Sequence, residues 1–281
     1  MGPPASPIDL HLHSSASDGT LSPQQTVVAA LALGMQVIAL ADHDTVQGVG
    51  PALEAARGAL LVVVPAVEIN TDYEGREVHL LGYFIEPTSE DLARSLRALR
   101  EARRERNRAI LQRLAQLGRP VEESRVEEIA RGESVGRPHI AAALVEAGYA
   151  ASGQQAFDRW LGRGKPAFVP RPSFTPQQAI AVIQGAGGIA VLAHPAKGGA
   201  EGLLPRLAGA GLQGLEAFHT DHSPRAVARY LALARQLGLL ITGGSDSHGP
   251  GADRPVGIGS VAVPIWVWEE MSRVRGRRTM P

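Results

Sequence analysis

Short apolar runs recur along this chain, and most of them end at a histidine or an acidic residue. Residues 8–12, 37–41, 60–67 and 78–84 form such runs in the first part, and 189–193, 215–218 and 239–242 in the last. Helical patterns lie between them. Ser22 followed by Pro23 opens one over 23–33, a side-chain acceptor followed by a residue already set for the first turn. A second covers 46–57 and is stopped by Gly58. Thr175-Pro176 opens another through residue 184, and 203–209 and 224–237 follow. A last strand is expected at 258–263. Strand and helix in alternation predict a parallel α/β sheet or a barrel. Strands apolar throughout are buried on both faces. A barrel fits better, because it brings the polar strand ends to one face.

One segment breaks this rhythm. Residues 91–117 form a long helical pattern ended by Gly118 and Pro120. Leu92, Leu96, Leu99, Ile110, Leu111, Leu114 and Leu117 make its apolar stripe, with a gap around 103–108. Further helices are read at 122–131, 138–147 and 154–161. The expected organisation is a discontinuous barrel, residues 1–87 and 166–272, carrying an all-helical insertion, residues 88–165. The basic tail, 273–281, is read as solvated.

Lys+Arg and Asp+Glu both number 28. No general basic field therefore draws the chain to a DNA duplex or an anionic membrane. The absence of cysteine excludes disulfides, thiolate metal ligands and a cysteine nucleophile. Residues 1–7 lack the charged and apolar regions of a signal peptide. Runs such as 60–67 are too short to span a bilayer. A cytoplasmic monomer is expected.

The chemistry lies in the histidines and acids. Asp9-Leu10-His11-Leu12-His13 sets two imidazoles two residues apart, hence on the same face of a strand. Two imidazoles side by side suit a first-row metal ion. Two polar strand residues facing water would be the plain alternative, but this strand reads as buried. Asp18 follows on a loop able to fold back. Asp42-His43-Asp44 stands directly after an apolar run; Asp44 can be a helix cap, but a cap has no need of His43. Glu68 ends another run, where a carboxylate is costly unless paired or bound to a cation. His79 stands at the start of its strand, where a structural histidine is an alternative. His194 ends the run 189–193, and Asp246 and His248 follow 239–242. The candidate ligands are thus His11, His13, Asp18, His43, Glu68, His79, His194, Asp246 and His248. They suffice for two or three divalent ions with positions left for water and substrate.

These motifs resemble those of the PHP (polymerase and histidinol phosphatase) superfamily of metal-dependent phosphoesterases. The likeness runs through Asp9-Leu10-His11-Leu12-His13-Ser14, Ser17-Asp18-Gly19, Ala41-Asp42-His43-Asp44, Glu68, His79, Ala193-His194-Pro195 and Ser245-Asp246-Ser247-His248. It implies a distorted seven-stranded (β/α)7 barrel and a trinuclear site holding manganese, iron or zinc. Gly136-Arg137-Pro138-His139-Ile140-Ala141 and Phe157-Asp158-Arg159-Trp160-Leu161-Gly162-Arg163-Gly164-Lys165-Pro166 are similar to the branch of nucleoside 3′,5′-bisphosphate phosphatases and 5′→3′ exoribonucleases. That likeness implies substrate contacts from Arg137, Lys165 and His139, the first two to phosphate.

The expected reaction is hydrolysis of a small phosphorylated nucleotide, or of short RNA from its 5′ end, by a metal-activated hydroxide. Asp9 is expected to hydrogen-bond a ligand imidazole. Between His219 and His222, which follow another strand, His222 is the preferred general acid. Arg103, Arg104, Arg106 and Arg108, interleaved with Glu101 and Glu105, are read as a solvated helix face in preference to an RNA guide. A histidinol-phosphate-type phosphatase, a non-catalytic metal- and nucleotide-binding module, and an amidohydrolase acting on C–N bonds are the alternatives. Glu68 as a bridging group, with no lysine near a strand end in the first half, argues against the last.

Overall fold

The computed structural model describes residues 4–170, 174–252 and 256–278. Seven strands form one sheet in chain order: β1 (Ile8–Leu12), β2 (Val37–Leu40), β3 (Val62–Tyr73), β4 (Arg76–Tyr83), β5 (Ile189–Leu192), β6 (Gly214–His219) and β7 (Leu240–Gly244). Its two edges meet. The His13 N–H donates to Ser247 O at 2.9 Å, and the Asp246 N–H donates to His11 O at 2.9 Å. The architecture is the distorted seven-stranded α/β barrel that the family resemblance implies.

Helices α1 (Pro23–Ala32) and α2 (Val49–Ala55) follow β1 and β2. Between β4 and β5 come α3 (Glu90–Gln116), α4 (Glu123–Ala130), α5 (Arg137–Glu146) and α6 (Gly153–Ala156), the last continuing as a π-helical turn, Phe157–Leu161. Helices α7 (Pro176–Gly185), α8 (Leu204–Gly209), α9 (Pro224–Leu237) and α10 (Ile265–Arg278) complete the barrel's outer layer. Local chemistry sets several of these starts. Ser22 Oγ accepts from the Gln25 N–H while Gln25 Oε1 accepts from the Ser22 N–H. Thr175 and Gln178 repeat that reciprocal cap at α7. Each satisfies two otherwise unpaired donors.

Leu10, Leu80, Leu81, Val191, Leu192 and Leu215 are buried in the main apolar cluster, with Ile183 of α7 packed among them. The helices between β4 and β5 bury their own stripe. Ile110 and Leu114 of α3 pack with Val126, Ile140, Leu144 and Leu161.

Three expectations change. The barrel is not parallel throughout: β4 runs antiparallel to both β3 and β5. The cause is a two-residue turn. Glu74 (φ 52°) and Gly75 (φ 74°) both lie in the left-handed region, as in the turns whose twist matches paired antiparallel strands. Such a link is too short for a parallel crossover. Residues 258–263 form turns and coil instead of a strand. Residues 273–278 of the expected solvated tail belong to α10, and 279–281 lie outside the described residues.

Candidate metal centre

Five imidazoles converge on one fully buried carboxylate. Glu68 Oε2 lies 3.2 Å from His11 Nε2, 3.2 Å from His13 Nε2 and 3.1 Å from His43 Nδ1. Its Oε1 lies 2.8 Å from His79 Nδ1 and 2.9 Å from His194 Nε2. The folding of each segment accounts for this. His11 on β1 and His13 directly after it alternate with Leu10 and Leu12, so both face inward. His43 forms a parallel bridge with Glu68. His194 and Asp246 follow β5 and β7 with φ of 24° and 57°. Positive φ is costly for residues other than glycine and persists where the surroundings enforce it.

Asp246 Oδ1 is 3.2 Å from His13 Nε2 and 3.6 Å from His11 Nε2. Asp18 Oδ1 is 3.4 Å from His248 Nε2, and its Oδ2 is 3.8 Å from His43 Nε2. His248 stacks on His13 with ring centroids 4.2 Å apart. Among the described residues, four sets each hold donor atoms within 4.8 Å of one another: His13, Asp18, His43 and His248; His11, His13, Glu68 and Asp246; His43, Glu68 and His79; and His11, Glu216 and His219. All the ligand residues proposed from the sequence therefore meet here, with His194 joined through Glu68.

The electrostatics suit a cation. Burial disfavours charge on Glu68, yet His43, His11 and His79 hold its carboxyl well below the usual carboxylate range. Burial also opposes the charge of His13, but Asp246 and Glu68 carry it up to about 10. His79 rises to about 9 against burial, through Glu68 and Glu77. Burial instead dominates at His43, lowered to about 3, and at His194, lowered to about 4. His13 Nδ1 is buried without a hydrogen-bond partner, and Nε2 sits between the Glu68 and Asp246 carboxylates, 3.2 Å from each, without a well-aligned hydrogen bond to either. An orphaned imidazole among carboxylates fits a divalent ion, and nitrogen with oxygen donors suits a first-row metal.

Supporting residues surround the cluster. Glu216, fully buried on β6, has Oε1 3.0 Å from His11 Nδ1, and its Oε2 accepts the His194 N–H at 2.8 Å. The sequence reading misses Glu216, although a carboxylate between Leu215 and Ala217 in an apolar strand is itself a signal. Asp9 does not hold an imidazole. Its carboxylate accepts the N–H groups of Ser245 and Gly259, both at 2.8 Å, and so ties β1 to the segments after β7. Asp42 accepts from Ser14 N, Ser14 Oγ and Ser17 Oγ, each at 2.7 Å, ordering the loop that carries Asp18. His219 Nε2 lies 3.3 Å from Asp246 Oδ2.

A cavity of about 210 Å³ opens over the cluster, its walls including Asn70, Glu77, Arg103, Arg137, Phe157 and Lys197. Arg137 pairs with Glu77 at 2.5 Å and lies over the Phe157 ring. Lys197, which the sequence reading also misses, sets Nζ 2.7 Å from Asp246 Oδ2 and 3.3 Å from Asp221 Oδ2. An adjoining cavity of about 730 Å³ shares Asp18, Pro138, Phe157, Lys197 and His248 and adds His139. His139 Nδ1 accepts the Gly136 N–H at 3.0 Å.

Three groups of residues singled out in the sequence lie as follows. Lys165 is exposed and lines neither cavity. His222 is not a wall residue of either: its Nδ1 donates to Ala217 O at 2.8 Å and its ring packs on Tyr230. Of the four α3 arginines read as a solvated face, Arg104 and Arg108 are exposed as expected, whereas Arg103 and Arg106 are not. Arg103 is nearly buried and pairs with Asp44. Arg106 is buried, and its Nε donates to Val169 O.

Comparison with known proteins agrees with this geometry. The PHP domain signature matches residues 9–129. The chain is 36% identical over 249 residues to the 5′-3′ exoribonuclease Rnm of Escherichia coli (strain K12), covering 86% of this chain and 85% of that one. It is 32% identical over 277 residues to the 3′,5′-nucleoside bisphosphate phosphatase of Chromobacterium violaceum, covering 92% and 95%. A structure from Bifidobacterium adolescentis, described as a metal-dependent phosphoesterase, superposes with a TM-score of 0.86 at 33% identity, covering 100% of this chain and 99% of that one. The chain belongs to the PHP family. It is a metal-dependent hydrolase of phosphoester bonds. Among the described residues, no helix is long and apolar enough to cross a membrane.

Proposed function

We propose that the enzyme removes the 3′-phosphate of a nucleoside 3′,5′-bisphosphate, leaving the nucleoside 5′-monophosphate. The observation that carries this reading is the Glu68 cluster lying beneath a small cavity whose walls bear Arg137 and Lys197. His11, His13, Asp18, His43, Glu68, His79, His194, Asp246 and His248 would hold two or three ions of manganese, iron or zinc. Such ions neutralise phosphate oxygens and activate a water near neutral pH. Arg137 grips a phosphate with its planar fork, and Lys197 adds a point charge. Phe157 supplies an apolar face beside them. Glu216 orients His11, and a fixed imidazole is a better ligand. The helical segment 88–165, read as a unit, sets substrate choice through Arg137 and His139.

A second reading is 5′→3′ hydrolysis of short RNA. The adjoining larger cavity favours it, since it continues from the metal centre with room for nucleotide beyond the cleaved phosphate. The relatives named exoribonuclease point the same way. Protein loaded with manganese and given adenosine 3′,5′-bisphosphate or a 5′-phosphorylated RNA trimer tests both. Faster phosphate release from the bisphosphate supports the first reading, and faster mononucleotide release from RNA supports the second. Turnover of neither, with metal bound, overturns both.

A further inference from the structure

Arg100 and Arg103 sit three residues apart on α3, hence on one helix face. Both reach out of the helical segment to the same residue of the barrel. Arg100 Nη1 donates to Asp44 O at 2.9 Å, and Arg103 Nη2 pairs with the Asp44 carboxylate. Arg100 is held in turn by Glu133 at 2.9 Å. Asp44 directly follows His43, and its φ is 54°. An aspartate held in the left-handed region needs its surroundings to keep it there.

What Asp44 does with its other groups locates the consequence. Its N–H donates to Glu68 O at 2.9 Å. Its carboxylate accepts the Asn70 N–H at 2.9 Å and Asn70 Nδ2 at 3.1 Å. Asn70 Nδ2 also lies 3.1 Å from His43 Nδ1. Asp44 thus fastens the loop carrying His43 to the strand carrying Glu68. Two guanidinium groups from α3 fasten Asp44 itself.

We propose that Arg103 is a positioning residue for the metal centre, holding the His43 loop against β3 through Asp44, so that the helical segment completes the metal site. This rests on the reading of His43 as a metal ligand. Arg103 borders the cavity over the cluster, but its guanidinium is engaged by the Asp44 carboxylate, and it is through Asp44 that its effect is placed. Residues that orient metal ligands cost about 10–100-fold in metal affinity or activity when removed.

The test measures manganese affinity directly, by competition with a chromogenic chelator, and steady-state kinetics at saturating metal. Arg103→Ala is expected to weaken manganese binding about 10–100-fold and to leave KM for the bisphosphate unchanged. Arg103→Lys, which keeps a cation near Asp44, recovers part of that affinity. Asp44→Asn weakens binding similarly, and adding Arg103→Ala to it costs little more, as two steps of one chain require. These two milder variants carry the test if Arg103→Ala fails to fold by circular dichroism. Unchanged affinity with a raised KM would make Arg103 a substrate contact and overturn the proposal. Unchanged affinity with unchanged KM would reduce the pair to a buried ion pair and overturn it equally. His43→Ala serves as the reference. If it keeps full affinity, the ligand reading of His43 fails first, and the proposal fails with it.

Discussion

Glu68 Oε1 and His79 Nδ1 lie 2.8 Å apart, although Glu68 follows an apolar run and His79 precedes one. The antiparallel pairing of β3 with β4 reconciles the two. Asn70 stands opposite His79 and Glu68 opposite Leu81, so the early part of β4 lies at the same end of the barrel as Glu68. Among the described residues, Glu68 is the carboxylate that faces all five imidazoles. Glu68→Gln keeps the shape and removes the charge. It is expected to empty most of the metal and to lower kcat by about 100-fold or more, since a lost ligand costs at least as much as a lost outer partner. Metal analysis of the purified variant beside its turnover decides the point. Full metal content with full kcat would sink the central role given to Glu68.

Metal uptake is expected to release protons. His13 and His79, raised to about 10 and about 9, hold protons at neutral pH in the metal-free protein. Ligation requires neutral imidazole. Affinity therefore rises as pH rises from 6 towards 9 and falls as the rings protonate. His43 and His194, lowered to about 3 and about 4, are already neutral there and add nothing to the slope. Calorimetric titration with manganese in two buffers of different ionisation enthalpy measures the release. Identical heats in both buffers would contradict it.

Much of this centre is legible in the sequence, because a ligand at the end of an apolar run combines two independent signals. His11, His13, His194 and Glu68 show both. The direction of β4 is hidden, since Glu74-Gly75 is not one of the usual asparagine or aspartate pairs for such a turn. Without that direction, His79 reads as misplaced. The burial of Arg103 is hidden for another reason. It depends on packing between residues 44 and 103, and a helix rich in alternating charge reads locally as solvated. Lys197 lies in a stretch of small residues with no periodicity, so nothing local aims it at Asp246. Glu216 differs from these: a charged residue inside an apolar strand is a local signal, and its burial beside His11 follows from the alternation of β6.

Arg137 is expected to act on substrate and not on metal. Arg137→Ala should raise KM for the bisphosphate roughly 10–100-fold, the equivalent of about 1.5–3 kcal/mol for a charge-assisted hydrogen bond. Manganese content should stay unchanged, which separates this variant from Arg103→Ala. Arg137→Lys should recover little, because an ammonium cannot reproduce the planar fork or its stacking on Phe157. Steady-state kinetics of the three proteins provides the comparison. A loss of metal from Arg137→Ala, with KM unmoved, would assign Arg137 to the ligand shell through Glu77 and His79 instead.

His219 and His222 divide the remaining work in a way that kinetics can separate. Burial pushes the His222 imidazole below its ordinary range, which disfavours the doubly protonated ring that a general acid needs. Its hydrogen bond to Ala217 O and its packing on Tyr230 are structural contacts. His222→Ala should leave kcat within about threefold and its pH profile unmoved. It should lower Tm by about 2–4 °C for each kcal/mol lost, with a loss of about 1–3 kcal/mol for an emptied contact and an unpaired carbonyl. His219→Ala removes a ring that faces Asp246 and stands with His11 and Glu216 in a fourth donor set. It should lower kcat by about 10-fold or more, with weaker metal binding. A loss of 100-fold or more in kcat for His222→Ala, with metal and Tm intact, would restore His222 as the general acid.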